Sequence, residues 1–375
     1  MIPFNQPAIV GRELNYIRQS VKSGWIGGDG PFTKKCNRWF EEKFKAKKVL
    51  LTNSCTAALE MAAILCDIQP GDEIILPSFT FVSTASAFVM RGAKLVFVDI
   101  REDTLNIDEQ LIERVVTKKT KAIVPVHYAG VGCDMRAILK LAKAYKLFVI
   151  EDAAQGVMAS YRGKALGTWG DFGAYSFHET KNYTSGEGGA LLVNDPEYIH
   201  RAEIVLEKGT NRKEFYRGLV DKYTWVDLGS SYLPSDIVAA FLYGQLEKAE
   251  VVTRRRVDIW NRYYQRLLAF EEKGLMQLPM VPPECVHNGH LFYMILRSPQ
   301  ACLNFAKYLK SHGVATAFHY VPLHRSPMAK RLGAYKVKLP VTDFVVERLL
   351  RLPVFYGLIN KEQDLVVDRI YKWFK

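Results

Sequence analysis

Residues 174–193 read AYSFHETKNYTSGEGGALLV, and their order predicts a strand, a tight loop and a second strand. Lys181 lies in this loop, between the strand end Ser176-Phe177-His178 and the glycines at 186, 188 and 189. A lysine forms a Schiff base only after it loses its proton, and burial beside a cationic group lowers the pKa of a lysine. A solvated lysine in an ordinary loop is the competing interpretation. The flanking strand and glycines favour a reactive amine at Lys181.

The three glycines do not form a dinucleotide-binding motif. That motif needs a helix directly behind the glycines. Here Ala190-Leu191-Leu192-Val193 predicts another strand instead. The sequence therefore argues against a Rossmann dehydrogenase.

The histidines do not indicate a metal site. His127, His178, His319 and His324 do not share the spacing of metal ligands on a single helix or strand. We expect no bound metal.

Upstream of the lysine loop, short apolar runs alternate with helical patterns. Strands are predicted at 48–51, 73–76, 94–98, 122–126 and 147–150, and helices at 56–65, 85–90 and 135–144. Strands that are apolar throughout and alternate with helices are typical of a mostly parallel sheet with both faces covered. The predicted fold class is therefore α/β.

A second, smaller domain is predicted at the C-terminus. A helical pattern from 235 to 268 leads out of the first region, and strands are predicted at 291–296 and 314–320 around a helix at 301–312. We predict a large domain of residues 1–254, including an N-terminal segment, and a C-terminal α+β domain of residues 255–375.

Polar side chains follow the predicted strands at the edge where such sheets bind ligands. Asp152 closes the strand at 147–150, and Gln155 lies three residues further on. A carboxylate at this place suits pyridoxal 5'-phosphate (PLP), because an acidic partner keeps the ring nitrogen protonated. Gln155 could donate to the ring hydroxyl. An aspartate that only caps a turn is the alternative for Asp152.

The sequence also contains residues that could contact the phosphate and the ring of PLP. Ser54-Cys55-Thr56 precede a predicted helix, whose first backbone N–H groups can bind phosphate. Ser176 could add a hydroxyl from the neighbouring strand end, and Phe81 could stack on the ring. An ordinary helix cap and a core aromatic residue are the alternatives.

Charge and composition narrow the class of partner. The 375 residues carry a net charge of +12, which suits nucleic acid, a membrane surface or anionic small substrates. No nucleic-acid motif, signal peptide or membrane-length apolar run is present, and the six cysteines include no C-x-x-C pair. We expect a cytoplasmic protein with reduced thiols that binds an anionic small molecule, and neither nucleic acid nor a membrane.

With these residues assembled, the sequence resembles the DegT/DnrJ/EryC1/StrS family of sugar aminotransferases over nearly its whole length. The motifs that carry the resemblance are Gly30-Pro31, 53–59, 77–81, 151–155, 176–178 with Lys181, 186–189, His319-Tyr320 with Pro322 and His324, and Leu352-Pro353. The resemblance implies the aspartate-aminotransferase-like fold (PLP fold type I). It also implies a homodimer whose subunits share each active site.

Three further runs resemble the branch of the family that makes dTDP-4-amino-4,6-dideoxy-D-galactose for enterobacterial common antigen. They are residues 178–184, 207–212 and 221–225. The likeness implies that dTDP-4-keto-6-deoxy-D-glucose accepts an amino group from L-glutamate. The residues expected on the substrate side are Tyr183, Lys208, Arg212, His319 and Tyr320.

The sequence departs from the family pattern at one place. Most members carry an asparagine that reaches the PLP phosphate of the neighbouring subunit, followed by an arginine. Here Ser231 takes the place of the asparagine and Leu233 that of the arginine. Ser231 could still donate through its hydroxyl, and the dTDP-4-amino-4,6-dideoxygalactose branch shares the departure.

Three alternative functions stay open at this point. The first is amination of the isomeric 3-keto sugar by the same chemistry. The second is a sugar dehydratase that uses PLP or its amine form, although Lys181 excludes the dehydratases that replace this lysine with histidine. The third is a non-catalytic sensor, which would be expected to lose Lys181, Asp152 or the phosphate-binding segment.

Overall fold

The structure, a computed structural model, describes residues 1–375. Its strands are β1 (Lys48–Thr52), β2 (Glu73–Pro77), β3 (Lys94–Val98), β4 (Thr120–Ile123), β5 (Phe148–Asp152), β6 (Ser160–Tyr161), β7 (Lys164–Ala165), β8 (Phe172–Ser176), β9 (Gly189–Val193), β10 (Met276–Gln277), β11 (Cys285–Val286), β12 (Phe292–Leu296) and β13 (Leu349–Leu352). Its helices are α1 (Glu13–Lys22), α2 (Pro31–Phe44), α3 (Cys55–Leu65), α4 (Val82–Val89), α5 (Glu109–Ile112), α6 (Met135–Tyr145), α7 (Ile199–Leu206), α8 (Arg212–Tyr216), α9 (Asp236–Leu246), α10 (Ala249–Glu272), α11 (Pro299–Ser311), α12 (Pro327–Arg331), α13 (Pro340–Val346) and α14 (Asn360–Phe374).

The central sheet has seven strands in the order β1-β9-β8-β5-β4-β2-β3. Neighbours from β8 to β3 are parallel, as the alternation of strands and helices predicts. β9 is antiparallel to β8, because the chain returns through the loop that carries Lys181 without a crossover helix. β1 is antiparallel to β9 in turn. The predicted α/β class with a mostly parallel sheet is confirmed.

Side chains of the sheet alternate between two apolar cores. In β1, Val49 and Leu51 belong to the core that includes Phe40 of α2, whereas Leu50 belongs to the core that includes Leu59 of α3. Because helices cover both faces, the edge at the carboxyl ends of the parallel strands is where a ligand can reach the sheet.

A separate antiparallel sheet, β10-β12-β13, forms the centre of the C-terminal region. α10 connects the two regions: Ala249 and Val252 pack in a large-domain core, whereas Ile259 and the residues after it pack in the C-terminal core. The helix thus passes from one core to the other around the predicted boundary. The division into 1–254 and 255–375 stays a prediction.

Two predicted elements differ from the structure. The helical pattern at 235–268 forms two helices, α9 and α10, because the backbone of Lys248 (φ −111°, ψ 10°) leaves the helical range. The strand predicted at 314–320 is wrong. Val314 pairs with Ile2 and Ala317 pairs with Arg351 in two isolated bridges, so the segment lacks a single partner strand. No helix in the chain has the length and apolar character needed to cross a membrane.

His287 makes the stability of the fold depend on pH. Its ring centroid lies 4.5 Å from that of Trp260, and its Nδ1 accepts the N–H of Gly289. Burial lowers the pKa of His287 from 6.5 to about 4. Between pH 6.5 and about pH 4, the unfolded chain binds a proton at His287 and the folded chain does not. The free energy of unfolding therefore decreases as the pH falls through this range.

We expect the free energy of unfolding to drop by at most about 3 kcal/mol between pH 7 and pH 4 on account of His287. His287→Phe keeps a ring against Trp260 but removes the titrating group, so urea unfolding of this variant should depend less steeply on pH. If the free energy of unfolding of this variant depends on pH as steeply as that of the wild type, His287 is not a source of the pH dependence.

Candidate active site

A cavity of about 530 Å³ opens at the carboxyl ends of the parallel strands. It brings together most of the side chains that the sequence nominates for the cofactor and the substrate. These are Ser54, Cys55, Thr56, Phe81, Asp152, Gln155, Ser176, Lys181, His319 and Tyr320. The residues come from the region of the central sheet and from the C-terminal region, so the cavity lies where these two regions meet.

Lys181 is held in a closed loop between β8 and β9. The N–H of Phe177 donates to the carbonyl of Gly188 (2.8 Å), and the N–H of Lys181 donates to that of His178 (2.9 Å). Burial lowers the pKa of the Lys181 amine, against the opposing effect of Asp152, and the charge of Arg351 lowers it further. The loop therefore presents an amine that loses its proton more readily than a solvated lysine does.

Asp152, the last residue of β5, presents a fixed and buried carboxylate. Thr84 donates its hydroxyl to Oδ2 (2.6 Å), and the N–H of Ala154 donates to Oδ1 (3.1 Å). Thr84 is in turn hydrogen-bonded to Thr80 (2.7 Å). Each carboxylate oxygen still has a lone pair available, so the group can accept a hydrogen bond from a cationic ring N–H.

Thr84 positions the carboxylate, and Thr84→Val removes its hydroxyl while keeping its shape. A hydrogen bond to a charged group contributes about 1.5–3 kcal/mol, so we expect kcat to fall about tenfold or more. Thr342→Val is a matched control, because Thr342 donates to the buried carboxylate of Asp99 (2.7 Å) outside the cavity. Equal losses of kcat in the two variants would contradict a specific role of Thr84.

The start of α3 has the geometry that favours an anion. Ser54 is the N-cap, and its Oγ accepts the N–H of Ala57 (3.0 Å), which leaves the N–H groups of Cys55 and Thr56 without an intrahelical acceptor. β9 approaches closely here, since a Cβ at Gly189 would lie 2.3 Å from the carbonyl carbon of Ser54. Free N–H groups at the positive end of the helix dipole favour a phosphate.

Hydroxyl groups surround this helix start. Thr56 Oγ1 donates to Ser83 Oγ (2.7 Å), and Ser176 lies at the end of the neighbouring strand β8. Both Ser83 and Ser176 line the cavity. They can supply further donors to a phosphate held by the backbone of α3.

Aromatic side chains from the C-terminal region also line the cavity. The rings of His319 and Tyr320 stack with centroids 3.9 Å apart, and Tyr128 is hydrogen-bonded to His319 Nδ1 (3.1 Å). Gln155 accepts the N–H of Ala129 through Oε1 (2.7 Å) and donates to the Tyr320 hydroxyl through Nε2 (2.9 Å). The second N–H of the Gln155 amide stays available to a ligand.

Burial and the charges of Arg351 and Lys181 lower the pKa of His319 to about 2. The imidazole of His319 is therefore neutral at physiological pH. Because its Nδ1 is paired with Tyr128, His319 Nε2 is the ring nitrogen left to meet a substrate.

The family model of the DegT/DnrJ/EryC1/StrS aminotransferases matches residues 7–371. The chain belongs to this family. Its members are sugar aminotransferases, that is PLP-dependent transaminases, and the central sheet has the architecture of PLP fold type I. The resemblance seen in the sequence is confirmed.

Similar proteins span the whole length of this family member. Spore coat polysaccharide biosynthesis protein SpsC of Bacillus subtilis is 32% identical over 98% of this chain and 96% of its own. The dTDP-4-dehydro-2,3,6-trideoxy-D-glucose 4-aminotransferase of Saccharopolyspora spinosa is 32% identical over 99% of this chain and 96% of its own. The PMP-form structure of the putative sugar aminotransferase Spr1654 from Streptococcus pneumoniae is 27% identical, with a TM-score of 0.91 over 99% and 98% of the two chains.

Four of the predicted residues lie outside the cavity. Tyr183 is fully buried, and its hydroxyl is hydrogen-bonded to Ala249 and Thr253. Asn182 Nδ2 donates to the backbone carbonyl of Asn288 (3.0 Å). The next side chain, that of Tyr183, packs in the apolar core that includes Phe40. Tyr183 therefore does not line the cavity of its own chain, and its role toward the substrate stays a prediction.

Lys208, Arg212 and Ser231 lie on the surface segment between β9 and α9. The guanidinium of Arg212 packs over the rings of Tyr216 and Tyr223, and Ser231 forms an isolated bridge with Glu207. None of these three residues lines the cavity of its own chain. Their roles toward cofactor and substrate stay predictions.

The structure adds residues to the site that the sequence reasoning missed. Thr84 contacts Asp152 directly, and Phe4, His290 and Arg351 line the cavity. The spacing of Thr80 and Thr84, one helical turn apart, could have indicated the first. Arg351 interrupts the apolar run of β13, and a charge in a buried strand is the feature that could have marked it.

Proposed function

We propose that this chain binds PLP and uses it to transfer an amino group from L-glutamate to the keto group of a nucleotide-linked sugar. One observation carries the proposal. A lysine with a lowered pKa, a buried carboxylate and a helix N-terminus with free N–H groups line a single cavity. These are the three anchors that the aldehyde, the ring nitrogen and the phosphate of PLP require.

The residues present fit the cofactor. The start of α3 with Ser176 would hold the phosphate, Asp152 the ring nitrogen and Lys181 the aldehyde carbon. Phe81 is 59% exposed although it borders the cavity, so its ring is available for stacking. When bound, PLP supplies the carbonyl that accepts the amino group and the electron sink for the bond that is broken.

The side chains of the site then have distinct tasks. Lys181 Nζ would take the proton from the α-carbon of the donor and deliver a proton to the sugar carbon that comes to carry the amino group. Asp152 would keep the ring nitrogen protonated, with Thr84 fixing its carboxylate. The neutral His319 and Tyr320 would border the substrate.

We propose dTDP-4-keto-6-deoxy-D-glucose as acceptor and dTDP-4-amino-4,6-dideoxy-D-galactose as product. The runs 178–184, 207–212 and 221–225 support this choice. The name of the Saccharopolyspora spinosa relative also describes a dTDP-linked sugar aminated at carbon 4. The net charge of +12 suits a substrate with a diphosphate.

We also propose that the chain works as a homodimer in which each subunit completes the site of the other. The segment between β9 and α9 exposes large side chains, among them Tyr216, Leu219 and Trp225, of which Trp225 is 72% exposed. Several large exposed side chains on one segment are unusual on a monomer surface. Lys208, Arg212 and Ser231 lie on the same segment, so covering it with a second subunit would carry them toward the partner's cavity. Analytical ultracentrifugation of the PLP-loaded protein should show a dimer.

The acceptor is tested by a spectroscopic titration. L-glutamate is added until the yellow absorbance of the bound cofactor disappears, excess glutamate is removed, and dTDP-4-keto-6-deoxy-D-glucose is then titrated. Recovery of the yellow band in proportion to the sugar supports the proposed function. Recovery with only the 3-keto isomer would move the reaction to carbon 3, and a band that glutamate leaves unchanged would contradict the proposed donor.

A further inference from the structure

Arg351 is a half-buried cation without an anionic partner in the chain. It lies on β13, and none of the ion pairs in the chain involves it. Its Nη2 donates to the carbonyl of Phe318 (3.0 Å), and its guanidinium lies 4.7 Å from the ring centroid of Phe4. Its Nε is buried and has no hydrogen-bond partner. Leaving the buried Nε–H of a guanidinium unpaired is costly, so an anion from outside the chain would complete this arrangement.

Arg351 faces the same cavity as Lys181. Its charge lowers the pKa of Lys181, His290 and His319, in addition to the larger effect of burial on each. The carboxylates that line the cavity are Asp152, already paired with Thr84, and Glu187, which lies near His178. Arg351 is the cation that the C-terminal region contributes to the cavity, and no carboxylate of that region lines it.

We propose that Arg351 binds a carboxylate of the amino donor, an inference that rests on the proposed function. A guanidinium offers two parallel N–H groups that match a carboxylate in a bidentate pair. The phosphate site at the start of α3 belongs to the large domain, whereas Arg351 belongs to the C-terminal domain, so the two cationic regions bind different groups.

The position of the reacting atoms favours the donor over the nucleotide sugar. The α-carboxylate of glutamate is one bond from the carbon that loses its proton at Lys181, so it must lie inside the cavity. The diphosphate of a 4-keto sugar is attached across the ring from the reacting carbon, so it lies further toward the cavity mouth. Arg351, which lines the same cavity as Lys181, therefore meets the carboxylate.

The test compares Arg351→Leu and Arg351→Lys with a matched control, Arg348→Leu. Like Arg351, Arg348 contacts a backbone carbonyl and an aromatic ring, those of Phe344 (3.0 and 4.1 Å), but it also pairs with Glu347 (3.8 Å) and does not line the cavity. In the PLP-loaded enzyme, Arg351→Leu should raise the glutamate concentration for half-maximal bleaching of the cofactor about 100-fold. Arg351→Lys should raise it by less, because lysine keeps the positive charge but lacks the two parallel N–H groups of the guanidinium. The response to the keto sugar should change less than about threefold, and Arg348→Leu should match the wild type in both.

An amine-free ligand separates this inference from the proposed function. Glutarate has two carboxylates and the chain length of glutamate, and its binding can be measured by calorimetry whether or not glutamate reacts. If glutarate binds to the wild type and not to Arg351→Leu, the result supports the carboxylate site. This holds even if glutamate does not bleach the cofactor, an outcome that would contradict glutamate as the donor. Equal binding of glutarate to both proteins overturns the inference. A loss confined to the keto-sugar response would also overturn it and assign Arg351 to the diphosphate.

Discussion

Lys181→Ala is expected to abolish transamination, with a loss of at least about 10⁴-fold, because the amine serves as covalent anchor and as acid–base group. Circular dichroism should show an intact fold, since Lys181 lies in a loop whose closing hydrogen bonds use only backbone atoms. Borohydride reduction followed by peptide mass spectrometry should find the cofactor on residue 181 of the wild type and on no peptide of the variant.

Two controls sharpen this test. Lys164→Ala removes an exposed lysine that packs over Trp169, and it should keep the wild-type rate. An added small primary amine should restore a fraction of the Lys181→Ala rate, because it can replace the missing proton carrier. Turnover of Lys181→Ala at the wild-type rate would refute the assignment of this lysine.

Asp152→Asn is expected to reduce kcat by at least about 100-fold. The substitution keeps the size of the side chain but removes the charge that would pair with the ring nitrogen. Breaking a buried ion pair costs about 3–5 kcal/mol, and each 1.4 kcal/mol corresponds to about tenfold in rate. Single-turnover kinetics with glutamate should place the loss in the chemical step and leave cofactor binding largely intact, because the phosphate site is separate.

Asp99→Asn provides the matched control. Asp99 is also buried, and it accepts the N–H groups of Val341 and Thr342 (2.9 and 2.8 Å) away from the cavity. This variant should lower the free energy of unfolding while kcat stays within about threefold of the wild type. A kcat for Asp152→Asn equal to that of Asp99→Asn would contradict the pairing of Asp152 with the cofactor.

The sequence predicts the parallel part of the fold well, because apolar strands alternating with helices have few other solutions. It also predicts that several of the residues proposed for the cofactor meet at one edge of the sheet. Asp152 and Ser176 end neighbouring parallel strands, and Ser54 caps the helix after β1, so topology alone brings them to one edge. The strand β9 follows from the same local pattern, because the apolar run 190–193 comes directly after the glycines that follow Lys181.

The remaining features depend on contacts between distant segments. Tyr183 lies two residues after Lys181, and only its packing near Ala249 shows that it points into the core. The segment at 314–320 reads as a strand, but its two bridges reach Ile2 and Arg351, more than 30 positions away in each direction. Arg351 itself joins the site because β13 pairs with β12 and places it beside Phe318. Local periodicity carries no information about such pairings.

The central claim is that an amino group moves from glutamate to a nucleotide-linked keto sugar. The most direct measurement uses L-glutamate labelled with heavy nitrogen, together with unlabelled ammonium, PLP-loaded protein and dTDP-4-keto-6-deoxy-D-glucose. Mass spectrometry of the sugar nucleotide should show one heavy nitrogen per product molecule, with an equal amount of 2-oxoglutarate. A product that carries light nitrogen, or a sugar that stays unaminated while glutamate is consumed, would contradict the account.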